Sequence, residues 1–245
     1  MLDLSRVTCF AIDNTNRIEE TIKALHTCKG VANFGEVKLI TTPEYVTKYK
    51  DELSSDGILV EEQVRPLTNI DEYNYYILYH LHKHIDTEYV LLIQDHAFIL
   101  NPDAWMDEFF DYDYVGAPWT SVPPYARAVD CPTGKCVGNG GFSLRSRALM
   151  QEVSTYGYNP YDMKYVEDVN NKGNNEDVYV CREVRDTLEA KGFKFAPTEL
   201  ASFFSVENSI YTAQFGFHGP QTLILNKKFG LFKFRDHAYE KDYLD

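Results

Sequence analysis

The sequence predicts a single α/β domain with a mainly parallel central sheet. Up to about residue 95, short apolar segments alternate with amphipathic helical segments, a pattern typical of strand–helix–strand crossovers. The run from Tyr89 to Ile93 is apolar without interruption, as expected of a strand that is buried on both faces. We therefore expect this strand in the interior of the sheet. The chain of 245 residues has the length of one large domain of this class.

The first half contains four strand-like segments separated by three helical segments. The strands are predicted at residues 7–12, 37–40, 58–60 and 89–93, and the helices at residues 16–28, 43–53 and 69–84. Asn16 with Glu19, and Asn69 with Glu72, have the spacing of the capping box that begins a helix. Gly30 stands where the first helix is expected to end.

The second half is less regular and is expected to carry the functional loops. A short strand within residues 111–119 ends in a turn, and a glycine-rich segment leads into another strand that ends at Ser146. A helix is predicted to open at 174–177, with Gly192 after its end. Longer loops are predicted around 120–137 and 157–174, and loops are where binding and catalytic residues concentrate.

Composition excludes several classes of protein. The formal charge of −13 argues against a surface for nucleic acid or anionic membranes, because both attract basic proteins. No apolar run approaches the roughly 18 residues that a membrane span requires. The amino terminus also lacks the basic start and apolar stretch of a signal peptide. The expectation is a cytoplasmic protein that has no transmembrane segment and does not bind nucleic acid.

The cysteines favour the same compartment. Five cysteines, at positions 9, 28, 131, 136 and 181, are scattered and odd in number, as expected of reduced thiols in a cytosol. Cys131 and Cys136 have the spacing of half a zinc site, but no second Cys/His pair matches it. Two free thiols in a loop are therefore the preferred interpretation.

Asp95 and His96 directly follow the apolar strand. In open α/β sheets, ligands bind just outside the carboxyl ends of such strands. A carboxylate oxygen and an imidazole nitrogen are common ligands of a divalent cation, which would suit an enzyme that handles a phosphorylated donor. A buried strand that ends in an ordinary polar turn is the alternative interpretation.

The glycine-rich segment from Val137 to Ser146 points to a ligand more strongly. Gly138, Gly140 and Gly141 lie within four residues and lead directly into an alternating strand. Glycine costs backbone entropy, so this density is expected where the main chain approaches a ligand closely. The spacing matches neither a Walker loop nor a dinucleotide-binding fingerprint.

Three further features each allow two interpretations. Trp119 is either a stacking platform for a sugar or an anchor in the core. Glu176 and Asp177 open a helix, where they either complement the helix dipole or include a general base. His218 lies between two glycines, either as a structural residue or as a side chain that the backbone presents to a ligand.

Together these segments resemble a known family. Their order is Gln94-Asp95-His96, Val115-Gly-Ala-Pro-Trp119, the glycine-rich Gly138-Asn-Gly-Gly-Phe-Ser-Leu-Arg-Ser146, Asn175-Glu-Asp177 and Phe217-His-Gly219. The set resembles the small GT-A-type glycosyltransferases of bacteria and large viruses that carry a GNGGFSLRS segment, from about Val7 to Pro220. The resemblance implies a nucleotide-diphospho-sugar transferase fold within 1–245, with a nucleotide-binding half at about 1–118 and an acceptor half at about 119–245.

The implied reaction moves a hexose or pentose from a nucleotide-sugar donor to an acceptor hydroxyl, on a glycan or polysaccharide. The acceptor must lose its proton as it attacks the anomeric carbon. By resemblance to inverting GT-A enzymes, Asp177 is expected to be the base. Glu176 and Trp119 are expected to contact the acceptor.

The resemblance also implies a donor site and a metal. The expected donor-binding residues are Ala11, Ile12, Asp13, Asn14, Arg17, Gln94, Asp95, Asn139 and Gly140. GT-A enzymes usually hold Mn²⁺ or Mg²⁺ with an Asp-x-Asp motif, whereas this chain has Gln94 and His96 around Asp95. With Asp95, His96 and His218 as ligands, a divalent cation is expected, and the imidazoles favour Mn²⁺ over Mg²⁺.

Two other functions remain open at this stage. The chain is alternatively a catalytically silent module that binds a nucleotide or a sugar with the same fold. A nucleotidyltransferase shares this architecture, but it needs an early glycine-rich phosphate loop. The segment from Ala11 to Asn16 contains no glycine, which counts against that function.

Overall fold

The computed structural model describes residues 1–63, 65–119, 135–159, 175–207 and 211–219. Its strands are Leu2–Ile12 (β1), Ala32–Thr41 (β2), Leu59–Glu62 (β3), Tyr89–Ile93 (β4), Ala97–Ile99 (β5), Tyr114–Gly116 (β6), Phe142–Ser146 (β7), Ser205–Glu207 (β8) and Gly216–His218 (β9). Its α-helices are Ile18–Val31 (α1), Pro43–Ser55 (α2), Ile70–His80 (α3), Arg147–Val153 (α4), Glu176–Val178 (α5), Arg185–Ala190 (α6) and Thr198–Phe204 (α7).

The central sheet has the strand order β3-β2-β1-β4-β7-β6. β1 runs parallel to β2 and β4, β2 runs parallel to β3, and β7 is antiparallel to both β4 and β6. The predicted α/β class and the mainly parallel sheet are therefore confirmed. β4 lies between β1 and β7 and all five of its residues are buried, which confirms its interior position.

Helices cover both faces of this sheet. On one face, α3 and α4 bury Ile77 and Met150 against Phe10 and Leu92 of the strands. On the other face, residues of α1 and α2 pack into a larger core that also contains the aromatic residues Phe98 of β5 and Phe217 of β9. Because both faces are covered, the strands are apolar on both sides, as their sequences predicted.

The helix ends were only partly predicted. Asn69 caps α3 as expected, since its side chain accepts a hydrogen bond from Glu72 N at 3.0 Å. Asn16 does not cap α1: the helix begins at Ile18, and its N-cap residue Arg17 makes no side-chain capping bond. The helix also does not end before Gly30 as predicted, because α1 continues to Val31.

Asp13 explains the shifted start of α1. Its carboxylate accepts hydrogen bonds from Thr15 N, at 2.7 Å, and from the Thr21 hydroxyl. These two bonds tie the turn after β1 to the first turns of the helix. Asp13 therefore stabilises the turn before the helix, and no side chain caps α1 at its N-cap position.

The second half is organised around short elements. β5, β9 and β8 form a three-stranded sheet in which Ala97 faces His218. The single helix predicted after 175 is divided: α5 passes through a π-helical segment, Tyr179–Glu183, before α6. Such π segments often occur at functional sites because they change the direction of side chains.

The prediction of reduced thiols is wrong at one cysteine. Cys136 is disulfide-bonded, whereas Cys9, Cys28 and Cys181 are free and buried. Cysteine spacing does not determine which thiols meet in space, so the sequence favoured the wrong state. Cys131 lies outside the described residues. Among the described helices, none is long and apolar enough to cross a membrane.

Candidate functional site

A cleft of about 330 Å³ lies beyond the carboxyl end of β4. The start of α3, the glycine-rich segment, the start of α5 and the end of β9 form its walls. The polar residues that line it are Tyr73, Asn74, Gln94, Asn139, Asn175, Glu176, Asp177, Glu207 and His218, together with Trp119, Gly140 and Gly141. These residues come from seven separate parts of the sequence, and the fold brings them together.

The glycine-rich segment turns sharply at Asn139. This residue has a φ of 59°, a left-handed conformation that asparagine tolerates better than most residues. Its side-chain oxygen accepts a hydrogen bond from Gly141 N at 3.0 Å, which stabilises the turn. Gly141 allows His218 to approach, because a Cβ at position 141 would lie 2.0 Å from His218 Nε2. The close backbone approach predicted for this segment is therefore made to a side chain of the protein.

Asp177, in α5, is held against the same turn by hydrogen bonds. Gly140 N donates a hydrogen bond to its Oδ2 at 2.7 Å, and Val178 N donates to its Oδ1 at 2.8 Å. Asp177 is mostly buried but lines the cleft. Each of its two oxygens therefore accepts from a backbone N–H while the side chain borders the cleft.

Glu176 is held by a buried ion pair with Arg145. The guanidinium contacts both carboxylate oxygens, at 2.7 and 2.8 Å, and also the Gly140 carbonyl at 3.3 Å. Burial alone would lower the pKa of Arg145, but Glu176 and Tyr114 raise it above its usual value, so the cation is retained. The pair joins β7, the glycine-rich turn and α5 into one unit.

His218 connects the glycine-rich turn to the end of β4. Its Nε2 lies 3.0 Å from Gln94 Oε1, and its Nδ1 lies 2.9 Å from Glu207 Oε1. Asn139 Nδ2 is 3.1 Å from the same Nδ1. Polar atoms therefore face both ring nitrogens of His218.

Asp95 and His96 adjoin the cleft through His218. The His96 and His218 rings lie 4.7 Å apart, and His96 Nδ1 contacts Asp95 Oδ1. Asp95 Oδ2 pairs with Arg17 Nε at 2.6 Å. Burial would raise the pKa of Asp95, but His96 and Arg17 lower it below its usual range. Burial lowers the pKa of His96, and Asp95 offsets this only in part.

The predicted metal ligands are neighbours but are not arranged as a ligand shell. Among the described residues, no group of three or more His, Cys, Asp or Glu side chains is placed to hold a metal ion. Asp95 uses one oxygen for Arg17 and the other for His96, and both nitrogens of His218 face protein atoms. As they stand, these residues do not fit a bound cation.

The residues at the end of β1 mainly have structural contacts. The side chains of Ala11 and Ile12 are buried in the two cores of the sheet. The Asp13 carboxylate is used by the turn before α1. Asn14 exchanges two hydrogen bonds with the backbone of Leu67, at 2.9 and 3.1 Å. Of the predicted donor residues near β1, Arg17 alone is joined to Asp95.

Trp119 is anchored by its neighbours, and its contact with a sugar stays a prediction. Its ring packs on Gly138, where a Cβ would lie 1.8 Å from the indole, and the Arg182 guanidinium lies 4.1 Å from the ring centroid. The side chain also lines the cleft. It is therefore an anchored ring with one part directed at the cleft.

Sequence reasoning gave no role to several residues of this site. The signal for Arg145 is its strand: Phe142 and Leu144 alternate with Ser143 and Arg145, which places a cation on an inner face of the sheet. Tyr73, Asn74 and Glu207 have no comparable signal. Their places depend on how α3 and β8 pack against the glycine-rich turn.

Comparison with known proteins gives a family for the chain. Residues 58–218 match the family described as "Protein of unknown function (DUF5672)". The match covers more than half of the chain, which therefore belongs to this family. No curated protein matches the sequence.

Similar solved structures include two glycosyltransferases and a synthase. A mannosyltransferase from Pyrobaculum calidifontis, in complex with GDP-Man and Mn²⁺, is 13% identical with a TM-score of 0.47, covering 78% of this chain. This chain spans only 54% of the length of that enzyme. A glycosyltransferase involved in glycosylation of the major capsid of PBCV-1 is 11% identical with a TM-score of 0.45, covering 92% of this chain and 99% of that one. A 4-diphosphocytidyl-2C-methyl-D-erythritol synthase from Anaerococcus prevotii is 13% identical with a TM-score of 0.44, covering 91% and 96%.

Proposed function

We propose that this chain is a glycosyltransferase that moves a hexose or pentose from a nucleotide-sugar donor to an acceptor hydroxyl on a glycan or polysaccharide. The observation that carries the proposal is the position of Asp177: a carboxylate at a helix start, fixed by Gly140 N, that faces a cleft at the carboxyl end of β4. General-base catalysis requires such a carboxylate within hydrogen-bond reach of the reacting hydroxyl.

The donor site in this proposal is the point between β1 and β4. These strands are neighbours in the sheet, and Arg17 follows the first while Asp95 follows the second. In open α/β sheets this switch point is where nucleotides bind. The nucleotide half of the protein then spans about 1–118 and the acceptor half about 119–245.

The reaction proceeds by a single displacement. Asp177 accepts the proton of the acceptor hydroxyl while that oxygen forms a bond to the anomeric carbon. The bond from the anomeric carbon to the diphosphate oxygen breaks at the same time, and the nucleoside diphosphate leaves with the electron pair. Attack from the face opposite the leaving group inverts the configuration.

Glu176 has a different role here from the acceptor contact that the sequence predicted. Both of its oxygens are bound by Arg145, so its carboxylate fixes the start of α5 and thereby the direction of Asp177. A base must be held within a narrow range of positions to act efficiently. Glu176 and Arg145 are therefore positioning residues.

The leaving diphosphate requires positive charge nearby. Arg17 supplies it in this proposal, with its guanidinium partly exposed beside Asp95. A metal takes no part in the proposed reaction, because the predicted ligands are engaged with one another, with Arg17 and with other side chains. The affinity for UDP, GDP or dTDP should accordingly persist in EDTA and fall in Arg17→Met. A strict requirement for Mn²⁺ would contradict this part and support the Mn²⁺ site that the sequence predicted.

Asp177→Asn tests the central claim. Asparagine keeps the size and one acceptor oxygen, so it can serve only one of the two backbone N–H donors, and it is not a base. We expect nucleotide release from a panel of UDP-, GDP- and dTDP-sugars, with water or an added saccharide as acceptor, to fall on the order of 10²-fold or more. Nucleotide affinity, measured by thermal shift, should change little. Normal turnover in this variant would show that Asp177 only positions the turn, and loss of nucleotide affinity would assign it to donor binding.

A silent nucleotide- or sugar-binding module is the second candidate. One observation favours it: Arg145 occupies the whole Glu176 carboxylate, so Asp177 stands without a second available acid at the helix start. The same panel separates the two functions. A silent module binds a nucleotide sugar, which raises its melting temperature, but it releases no nucleotide. The transferase releases nucleotide slowly even without its acceptor.

A further inference from the structure

A second and larger cavity, of about 730 Å³, lies on the other side of α3. The segment after β3, the outer face of α3 and Tyr158 line it. Its volume falls within the range of sites for small molecules. None of the steps proposed above uses this cavity.

Aromatic rings form much of its lining. Tyr75, Tyr76 and Tyr158 contribute phenol rings, and Tyr75 is 52% exposed although its ring is supported by Tyr79 at a centroid distance of 4.4 Å. An exposed ring of this kind, held by a second ring behind it, is a preformed surface on which a ligand can stack.

Other rings of the cavity are also held by their neighbours. The Tyr76 hydroxyl lies 2.8 Å from His84 Nε2, and His84 Nδ1 lies 2.8 Å from Glu61 Oε2. On the opposite side, Asn74 Nδ2 donates to the Tyr158 hydroxyl at 3.3 Å. Because these side chains are already fixed, a ligand would lose little affinity by ordering them.

The charge of the cavity disfavours a second nucleotide. Among the described lining residues, Glu62, Asp71 and Glu72 contribute carboxylates, and Arg65 contributes the opposing guanidinium. This excess of negative charge repels a diphosphate. A neutral sugar suits it better, because carboxylates accept hydrogen bonds from hydroxyl groups and aromatic faces pack against the C–H face of a pyranose.

The two cavities share α3 as a wall. Tyr73 and Asn74 face the smaller cleft, whereas Asp71 and Tyr75 face the larger cavity. The hydrogen bond from Asn74 to Tyr158 crosses between them. A saccharide whose terminal hydroxyl reaches the cleft therefore has a neighbouring surface for its next units.

We propose that the larger cavity binds neutral oligosaccharide units of the acceptor, with Tyr75 as the stacking platform. The link to the acceptor rests on the proposed glycosyl transfer, whereas the binding of saccharide does not depend on it. The cavity would then select the acceptor by recognising sugars remote from the reacting hydroxyl.

The test is saccharide binding in the absence of nucleotide. An array of neutral oligosaccharides, with trigalacturonic acid as the anionic comparison, is screened against the whole chain, and hits are titrated by saturation-transfer NMR. We expect at least one neutral oligosaccharide to bind in preference to the anionic one. Tyr75→Ala should weaken that binding roughly two- to tenfold, the scale of one aromatic contact. Tyr75→Phe keeps the ring and should keep the affinity.

Phe203→Ala is the matched control, because Phe203 is a similarly exposed ring, at 58%, on α7 and away from the cavity. Equal binding by Tyr75→Ala and the wild type, an effect of equal size from Phe203→Ala, preference for the anionic sugar, or no neutral hit would each overturn the proposal. Tyr75 is exposed, so its substitution should not unfold the protein. Saccharide binding without turnover of any nucleotide sugar would refute the transferase and leave the saccharide site standing.

Discussion

Two neighbouring parts of the central sheet, the side formed by β1 and β4 and the side formed by β7, are stabilised in different ways. Around β1 and β4 the contacts are apolar: Phe10, Val90 and Leu92 are fully buried against helices. Around β7 the inner face carries Arg145, which is fully buried and paired with Glu176 at the edge of the cleft. Apolar burial is non-directional and tolerates small shifts. A buried ion pair is stable only when its geometry is satisfied, so it fixes orientation at a cost in solvation.

This difference shows which part of the protein fixes the orientation of side chains. The apolar side supplies a scaffold for the ends of the parallel strands. The polar side determines the direction of Asp177 and the shape of the glycine-rich turn. Substitutions on the two sides should therefore have similar effects on stability but different effects on activity.

The largest effect is expected from Arg145→Met. Removing the guanidinium leaves the Glu176 carboxylate buried without its partner, which should lower the free energy of unfolding by about 3–5 kcal/mol. Leu92→Ala, on the apolar side, should lower it by a comparable ~2–5 kcal/mol through a cavity. Urea unfolding of both variants, with turnover per folded molecule, makes the comparison.

Only Arg145→Met should lose turnover per folded molecule. The double variant Arg145→Met with Glu176→Met should recover part of the stability, since both charges are then removed, but not the turnover. The distinction between the two sides would be refuted if Leu92→Ala lost as much turnover as Arg145→Met.

Two glycines offer a smaller and sharper comparison. A Cβ at Gly140 would lie 2.2 Å from Glu176 Oε1 and 3.1 Å from Arg145 Nη2, so Gly140→Ala must displace the ion pair. A loss of about 1–3 kcal/mol is expected, as for other overpacked sites. Gly30, within α1, has no atom within 4 Å of such a Cβ, and Gly30→Ala should stabilise the protein by up to about 1 kcal/mol.

Thermal or urea unfolding of the two alanine variants measures this contrast. Equal effects of both substitutions would mean that the glycine-rich turn adapts freely and does not hold Asp177 rigidly.

The smallest expected effect is a dependence of stability on pH through His96. Burial lowers the pKa of His96 in the folded protein below its ordinary value of about 6.5. Below that pH the unfolded chain binds a proton that the folded protein does not, so stability is fully present above about pH 6.5 and declines as the pH falls toward the folded pKa. His96→Asn should make the decline between pH 7.5 and pH 5 shallower.

His80 and His82 retain part of that slope in the variant, because burial lowers the pKa of both. Urea unfolding at several pH values measures the slopes. An unchanged slope in His96→Asn would show that His96 is as accessible to protons in the folded protein as in the unfolded chain.

Local pattern in the sequence determined most of the scaffold. The apolar run at Tyr89, the cap at Asn69 and the strand–helix alternation depend on residues that lie close together in the chain, and each was found where it was predicted. Periodicity and capping are local properties because they follow from the geometry of one helix or strand.

Only the tertiary structure decided which side chains of the site contact one another. His218 meets Gln94 across 124 positions of sequence, Arg145 meets Glu176 across 31, and α3 places Tyr73 beside them. The same packing lets Asp13 stabilise the turn before α1. It also pairs Asp95, which the sequence had predicted to be a metal ligand, with Arg17. The partner of a polar side chain depends on which elements the folded chain brings within hydrogen-bond distance, and no local pattern records that distance.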